Sequence, residues 1–294
     1  MKIAFHGAAR TVTGSKHLIT LDNGKKILLD CGLFQGLGKD TTLLNNDFGF
    51  DPAEISVMVL SHAHVDHCGL IPLLIKKGYT GKIWCTPATK DLAAILMEDS
   101  GGIQENDIKY FNRRQIAAGK KPVDPLYTRA DALAAIPYLD TINYNQWFSI
   151  LDGVEVMFTD AGHIIGSASV HLKIKENTRL NETHITFSGD VGRYRDVILK
   201  SPAEFPQADY IIMESTYGNS LHESYKSSPD EILKWILKTC YQKKGKLIIP
   251  AFSVGRTQEI LLALNQLELE KRLPDLEYIV DSPLSSEATS IVKS

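Results

Sequence analysis

Within six residues the chain carries His62, His64, Asp66 and His67, spaced as HxHxDH. They directly follow Ile55–Ser61, a continuous apolar run of the kind that forms a strand buried on both faces. Alternate residues of an extended segment point the same way, so His62 and His64 can grip one cation together. Asp66 and His67, turning away at the start of a helix, can serve a second cation close by. Imidazole with carboxylate suits Zn²⁺ above all, with Mn²⁺ and Fe as weaker fits. A solvated polar turn after a strand is the bland alternative, and it does not call for three histidines and an aspartate in one turn.

Two later segments place a chemistry-bearing side chain among small residues after a strand. His163 lies in Asp160-Ala161-Gly162-His163-Ile164-Ile165-Gly166-Ser167, and Asp190 in Ser188-Gly189-Asp190-Val191-Gly192. Taken singly, each reads as a turn residue. Taken with HxHxDH, they add a third imidazole and a carboxylate able to bridge, which is what a two-metal hydrolytic site needs. A water between two cations ionises near pH 7, and it could attack a phosphodiester, an amide, a lactone or a thioester alike.

The elements that must position these residues are legible in outline. Lys2–Gly7, Lys16–Leu21 and Lys25–Asp30 read as short strands, with Asp22-Asn23-Gly24 as a hairpin turn. A helix is expected over Leu70–Lys77, stopped by Gly78. From Pro87 to about Ile136 the spacing predicts helices over Asp91–Asp99, Glu105–Ala118 and Ala130–Ile136, broken by Gly101-Gly102 and by Pro122 and Pro125. Strands return at Val154–Thr159, Ser169–Lys175, Thr183–Ser188 and Asp209–Glu214, with a polar turn at Asn177–Asn181. Beyond Gly218 the texture changes to Glu231–Tyr241 as helix, Lys246–Pro250 as strand, Arg256–Glu270 as helix and Glu277–Asp281 as strand. That alternation predicts a separate βα layer from residue 219 onward.

With 294 residues, 44% hydrophobic and 23% charged, the chain has the composition of a folded globular protein and not of a disordered one. A net charge of −3 gives no general attraction to nucleic acid, so any RNA contact must be local. Cys31, Cys68, Cys85 and Cys240 form no CxxC pair, which argues against a disulfide framework and fits a reducing cytoplasm. No apolar stretch reaches the roughly 18–20 residues that span a bilayer, so no membrane partner is expected. Nothing in the sequence bars a homodimer.

The strand-HxHxDH segment, the later Gly-His and the later Gly-Asp resemble the signature of the metallo-β-lactamase fold hydrolases. Gly7–Ser15, Leu29-Asp30-Cys31-Gly32, Glu214-Ser215-Thr216-Tyr217-Gly218 and Pro250–Glu259 extend the resemblance to the branch with a β-CASP insertion. That nucleic-acid-processing group includes the cleavage and polyadenylation endonuclease and bacterial ribonuclease J. The resemblance implies an α/β (α+β) architecture: an αββα metallo-β-lactamase sandwich over residues 1–218, then the first part of an α/β β-CASP cap over 219–294. It implies two Zn²⁺, the first on His62, His64 and His163, the second on Asp66 and His67, with Asp190 bridging. Asp66 would also be catalytic. Asp30 would orient the ligand turn from behind, and Glu214 would assist proton transfer. The implied activity is hydrolysis of single-stranded RNA, endonucleolytic or from the 5′ end. The same fold also serves small-molecule lactone or thioester hydrolases and non-catalytic RNA-binding subunits. The family's later β-CASP motifs, which supply two further histidines, have no counterpart here, since the last histidine is His222. The resemblance therefore implies a chain ending inside the cap, with the second metal one ligand short.

Three weaker signals remain. Arg256 at a helix start offers a phosphate contact, the plain alternative being a helix capped by Ser253. Arg113-Arg114 and Lys120-Lys121, near Tyr110 and Phe111, fit either a strand-binding groove or a solvated helix face. Finally, His222 lies close enough to Glu214 in sequence to reach the cleft.

Overall fold

The computed structural model describes residues 1–176, 181–220 and 229–293. His222 lies outside them, as does most of the expected turn at Asn177–Asn181. The chain divides into two units, Met1–Glu214 and Ser215–Ser294.

In the first unit, one sheet has the order β1 (Lys2–Phe5), β2 (His17–Thr20), β3 (Lys26–Leu29), β4 (Val57–Val59), β5 (Ile83–Cys85), β6 (Leu139–Thr141). Its first three strands are antiparallel and β3 to β6 run parallel. The second sheet takes β7 (Phe148–Leu151), β8 (Val154–Asp160), β9 (Ala168–Ile174), β10 (Thr183–Phe187) and β11 (Tyr210–Ile212), antiparallel except for β10 with β11. The two sheets share one apolar core, in which Ile27, Leu29, Val57 and Val59 meet Val156, Phe158, Val170 and Leu172. Met58, between the two core valines of β4, points to the opposite face and is equally buried. Strand β4 is therefore covered on both sides, as its unbroken apolar sequence requires.

Helix α1 (Lys39–Asn46) precedes β4. The crossover from β4 to β5 carries α2 (Val65–Cys68) and α3 (Ile71–Lys76), and that from β5 to β6 carries α4 (Pro87–Ala117) and α5 (Arg129–Ala135). The two crossovers pack on each other, α2 on α4 and α3 on α5, so they lie on one face of the sheet. The sequence predicts a break at Gly101-Gly102, yet α4 runs unbroken through it. A Cβ at Gly101 would stand 2.8 Å from the Arg129 nitrogen and 2.9 Å from the Thr128 oxygen. Glycine is there so that the start of α5 can pack close, and this outweighs the roughly 1 kcal/mol helix penalty.

The second unit has α6 (Pro229–Ile236), continued by a wider turn over Leu237–Gln242, then α7 (Arg256–Leu269) and α8 (Pro283–Lys293). The strands expected at Lys246–Pro250 and Glu277–Asp281 are not in any ladder among the described residues. Ile248, Ile249, Ile279 and Val280 stand exposed there. An apolar extended run becomes a strand only when a neighbouring strand accepts its hydrogen bonds. No described helix is long and apolar enough to cross a membrane.

His171, in the middle of β9, is buried between Thr159 Oγ1 (2.8 Å) and Thr186 Oγ1 (2.9 Å), and burial lowers its pKa to about 4. His17, between the rings of Phe5 and Phe187, is likewise pushed down to about 4, chiefly by burial. The unfolded chain binds these protons near pH 6.5 and the folded chain only near pH 4. Stability is therefore full above pH 6.5 and declines as pH falls through 6.5 toward 4, by a few kcal/mol in all. In denaturant titrations at stepped pH, His171→Gln is expected to flatten this decline by about one proton; an unchanged slope would refute it.

Candidate metal centre

The HxHxDH turn begins three residues past β4, at the carboxyl ends of the parallel strands, where open α/β sheets place their ligands. His62 and His64 project from its extended arm, and Asp66 and His67 from the one-turn helix α2. His163 comes from the loop between β8 and β9, and Asp190 from the loop after β10. One ligand atom from each of His62, His64, His163 and Asp190 lies within 4.8 Å of all the others. His64 Nδ1 is 3.2 Å from His62 Nε2 and 3.1 Å from His163 Nε2. Asp190 Oδ2 is 3.8 Å from His62 Nε2 and 3.5 Å from His163 Nε2.

A second group adjoins the first through the same aspartate. His67 Nε2 is 3.2 Å from Asp190 Oδ1 and 3.9 Å from Asp66 Oδ2. The other five residues named from the sequence thus meet around Asp190, His62, His64 and His163 on one side and Asp66 and His67 on the other.

Asp30, fully buried and in the left-handed region at φ 58°, sits behind both groups. Its Oδ1 accepts from Ser61 N (2.8 Å), and its Oδ2 from Ser61 Oγ (2.9 Å), Ser15 Oγ (3.1 Å) and His67 Nδ1 (2.7 Å). His67 Nδ1 therefore carries a proton, and its Nε2 faces Asp190. His62 Nδ1 is 3.1 Å from Ser61 Oγ, whose own proton goes to Asp30. That relay assigns the His62 proton to Nδ1 as well and turns the Nε2 lone pair to the cluster. One carboxylate sets both rings. The sequence assigns Asp30 a role but none to Ser15 or Ser61; their only local signal is position, Ser15 at the end of the Gly7–Ser15 segment and Ser61 directly before His62.

The electrostatics suit a cation. Burial first, then neighbouring imidazoles, holds His62 well below the usual histidine range and His64 at about 3, so both rings are neutral with lone pairs available. Burial lowers His163 too, against the pull of Asp190. For Asp190 burial opposes the charge, but the His67 hydrogen bond and the nearby imidazoles prevail and bring its pKa to about 2. Burial likewise disfavours charge on His67, yet Asp30 and Asp190 raise it well above its ordinary value. Three imidazole nitrogens turned on one another beside an ionised carboxylate are a donor set that a divalent cation fits. Cys68 is excluded from that set, because burial pushes its thiol far up and it donates to Ala63 O.

Backbone contacts hold the remote loops together. Gly166 O accepts from Thr86 Oγ1 (2.6 Å) and Thr89 Oγ1 (2.8 Å) at the head of α4, and Ser167 Oγ accepts from His163 N (3.0 Å). Gly192 N donates to Ala161 O (2.8 Å), laying the Asp190 loop on the His163 loop. A Cβ at Gly192 would meet Gly162 O at 1.7 Å and His163 N at 2.7 Å. Gly192→Ala must part the loops by about 1 Å and is expected to weaken metal binding at least about tenfold. Titration with zinc followed by calorimetry checks this; wild-type affinity would refute it.

Glu214 Oε1 accepts from Val191 N (3.0 Å), Glu214 N donates to Ser188 Oγ (3.1 Å), and its charge acts on His163. In the second unit α7 starts at Arg256 behind Gly255, whose N–H is taken by Gln258 Oε1 (2.7 Å), so Ser253 is not the cap. The Arg256 guanidinium pairs with Glu259.

A model of the metallo-beta-lactamase superfamily matches residues 13–239. Ribonuclease TTHA0252 of Thermus thermophilus is 35% identical over 291 residues, covering 99% of this chain and 60% of that protein. Transcription termination factor FttA of Methanosarcina mazei is 29% identical over 295 residues, 99% of this chain and 43% of the other. Cleavage and polyadenylation specificity factor 73 of Drosophila melanogaster is 33% identical over 259 residues, 87% of this chain and 34% of the other. The chain thus spans at most 60% of the length of these relatives.

Proposed function

The chain belongs to the metallo-beta-lactamase superfamily, and on that premise we propose that it is the metal-binding part of a β-CASP ribonuclease that hydrolyses single-stranded RNA. The observation that carries this reading is the convergence of His62, His64, His163 and Asp190 within 4.8 Å. The likeness to a ribonuclease and to a cleavage and polyadenylation factor supports the choice of RNA over a lactone or thioester.

In this reading His62, His64, His163 and Asp190 hold one Zn²⁺, and Asp66, His67 and Asp190 hold a second. Bound there, the cations would supply activation of water near neutral pH and neutralisation of charge on the phosphodiester. The chain's own residues do the rest. Asp30 keeps the His62 and His67 rings aimed before substrate arrives, so no reorientation is needed during the reaction. Glu214, fixed by the Val191 N–H beside His163, carries a proton at its carboxylate toward the leaving oxygen. In this reading residues 219–294 form the opening part of the β-CASP cap, and the four free cysteines suit a reducing cytoplasm.

With four donors on the first site and three on the second, the first cation should bind the more tightly. Elemental analysis after dialysis at limiting zinc is expected to give about one equivalent per chain, rising toward two at excess. An RNA cleavage assay on a version extended to the length of the relatives tests the activity. Cleavage that persists in the metal-stripped protein would refute the reading.

A further inference from the structure

Helix α4 is two different objects end to end. Its first half is anchored by buried Thr89, Leu92, Ala93, Met97 and Gly101. Beyond Gly101 none of its residues is buried, and the helix continues to Ala117. At 1.5 Å per residue, about 24 Å of helix leaves the body of the unit. The chain then folds back alongside it: Asn112 takes both hydrogen-bonding groups of Val123 (2.8 and 2.9 Å), and Tyr127 OH donates to Ser100 Oγ (2.8 Å). A helix of this length with one irregular strap as its packing partner is marginal in water and gains most from an external partner.

The surface it presents is specific. Residues 109–121 contain Lys109, Arg113, Arg114, Lys120 and Lys121 and no acid, a local +5 in a chain of net charge −3. None of these five cations is in an ion pair among the described residues. Tyr110 is 65% exposed, and the Arg113 guanidinium lies 5.5 Å from the centre of its ring. Helical spacing puts Tyr110, Arg113 and Arg114 on one outward side.

From these observations we infer that the 109–121 arm is a docking surface for single-stranded RNA outside the metal centre, with phosphates on Lys109, Arg113 and Arg114 and a base stacked on Tyr110. The inference rests on the RNA-hydrolase reading above. Paired guanidinium groups match phosphate geometry, and an exposed ring beside them is the element that single-strand binders use for bases. A membrane surface fits worse, because exposed Tyr110 and Ile116 fall about 120° apart around the axis and form no continuous apolar face. The arm also points back to the site. The head of α4 bonds the His163 loop, and Tyr110 lies about 35 Å further along the same helix. RNA engaging both would have to be much longer than the scissile step.

The test is fluorescence anisotropy of the full chain in EDTA, which reads binding and is indifferent to cleavage. The probes are a labelled polyuridine of about 30 nucleotides and one of about 6, titrated across salt. Arg113→Ala/Arg114→Ala is expected to weaken the long RNA about tenfold and to flatten the log affinity against log salt slope by about 1.4. Tyr110→Ala is expected to weaken it about tenfold with the slope unchanged. Arg113→Lys/Arg114→Lys should restore the salt slope and only part of the affinity, because an ammonium keeps the charge but not the paired geometry, and the short RNA should lose less throughout. Equal binding by wild type and the alanine variants overturns the proposal, as does an equal loss for the short RNA. So does a loss seen only in a parallel titration with phosphatidylserine vesicles, RNA binding being unchanged, or a fall in melting temperature that accounts for the lost affinity. An extended version that fails to cleave when metal-loaded, while this chain shows the expected anisotropy pattern, would sink the hydrolase reading and leave the arm standing.

Discussion

His64→Ala is expected to leave the fold intact and to empty the first metal site. His64 Nδ1 is the atom nearest to both other imidazoles of the cluster, 3.2 Å from His62 Nε2 and 3.1 Å from His163 Nε2. Without it, two imidazoles and one carboxylate remain, and the geometry that holds them has lost its centre. Loss of a partner behind a ligand already costs 10 to about 100-fold in affinity or activity. Loss of the ligand itself should exceed the upper end, so zinc affinity and RNA cleavage by the extended protein should each fall more than about 100-fold. Only part of the His64 surface is buried, and its ring packs on other site histidines, not in the apolar core. Circular dichroism and melting should therefore be close to wild type. Full metal content by elemental analysis in this variant would contradict the proposed ligand set.

Asp30→Asn should act on stability and on metal together. The carboxylate is buried, accepts from Ser61 twice, from Ser15 and from His67, and helps to raise the His67 pKa. An amide of the same shape must turn its NH₂ toward a donor and brings no charge for His67. Breaking a buried ion pair from one side costs about 3–5 kcal/mol. The released His67 and His62 rings should lower zinc affinity by about 10 to 100-fold. Denaturant unfolding and a competitive zinc titration read the two effects separately. A variant with wild-type midpoint and wild-type affinity would show that Asp30 neither neutralises His67 nor aims the rings.

What the chain states by itself is local chemistry. HxHxDH after an unbroken apolar run already tells which side chains share a direction, because strand periodicity and a following helical turn need only neighbouring residues. The donor types name the class of cation, and the exposed basic run at 109–121 is likewise written in order along the chain. The tertiary structure alone decided the rest. His163 and Asp190 come within reach of His64 because the β8–β9 and β9–β10 ladders end their loops at the rim where β4 ends. Ser15 and Ser61 become parts of one hydrogen-bond relay only once β2, β3 and β4 lie side by side. Gly101, a helix breaker by propensity, is overruled by the packing of α5, and the apolar runs at 246–250 and 277–281 stay out of any described sheet. In each case the deciding energy belongs to a contact between segments far apart in sequence, which no local preference encodes.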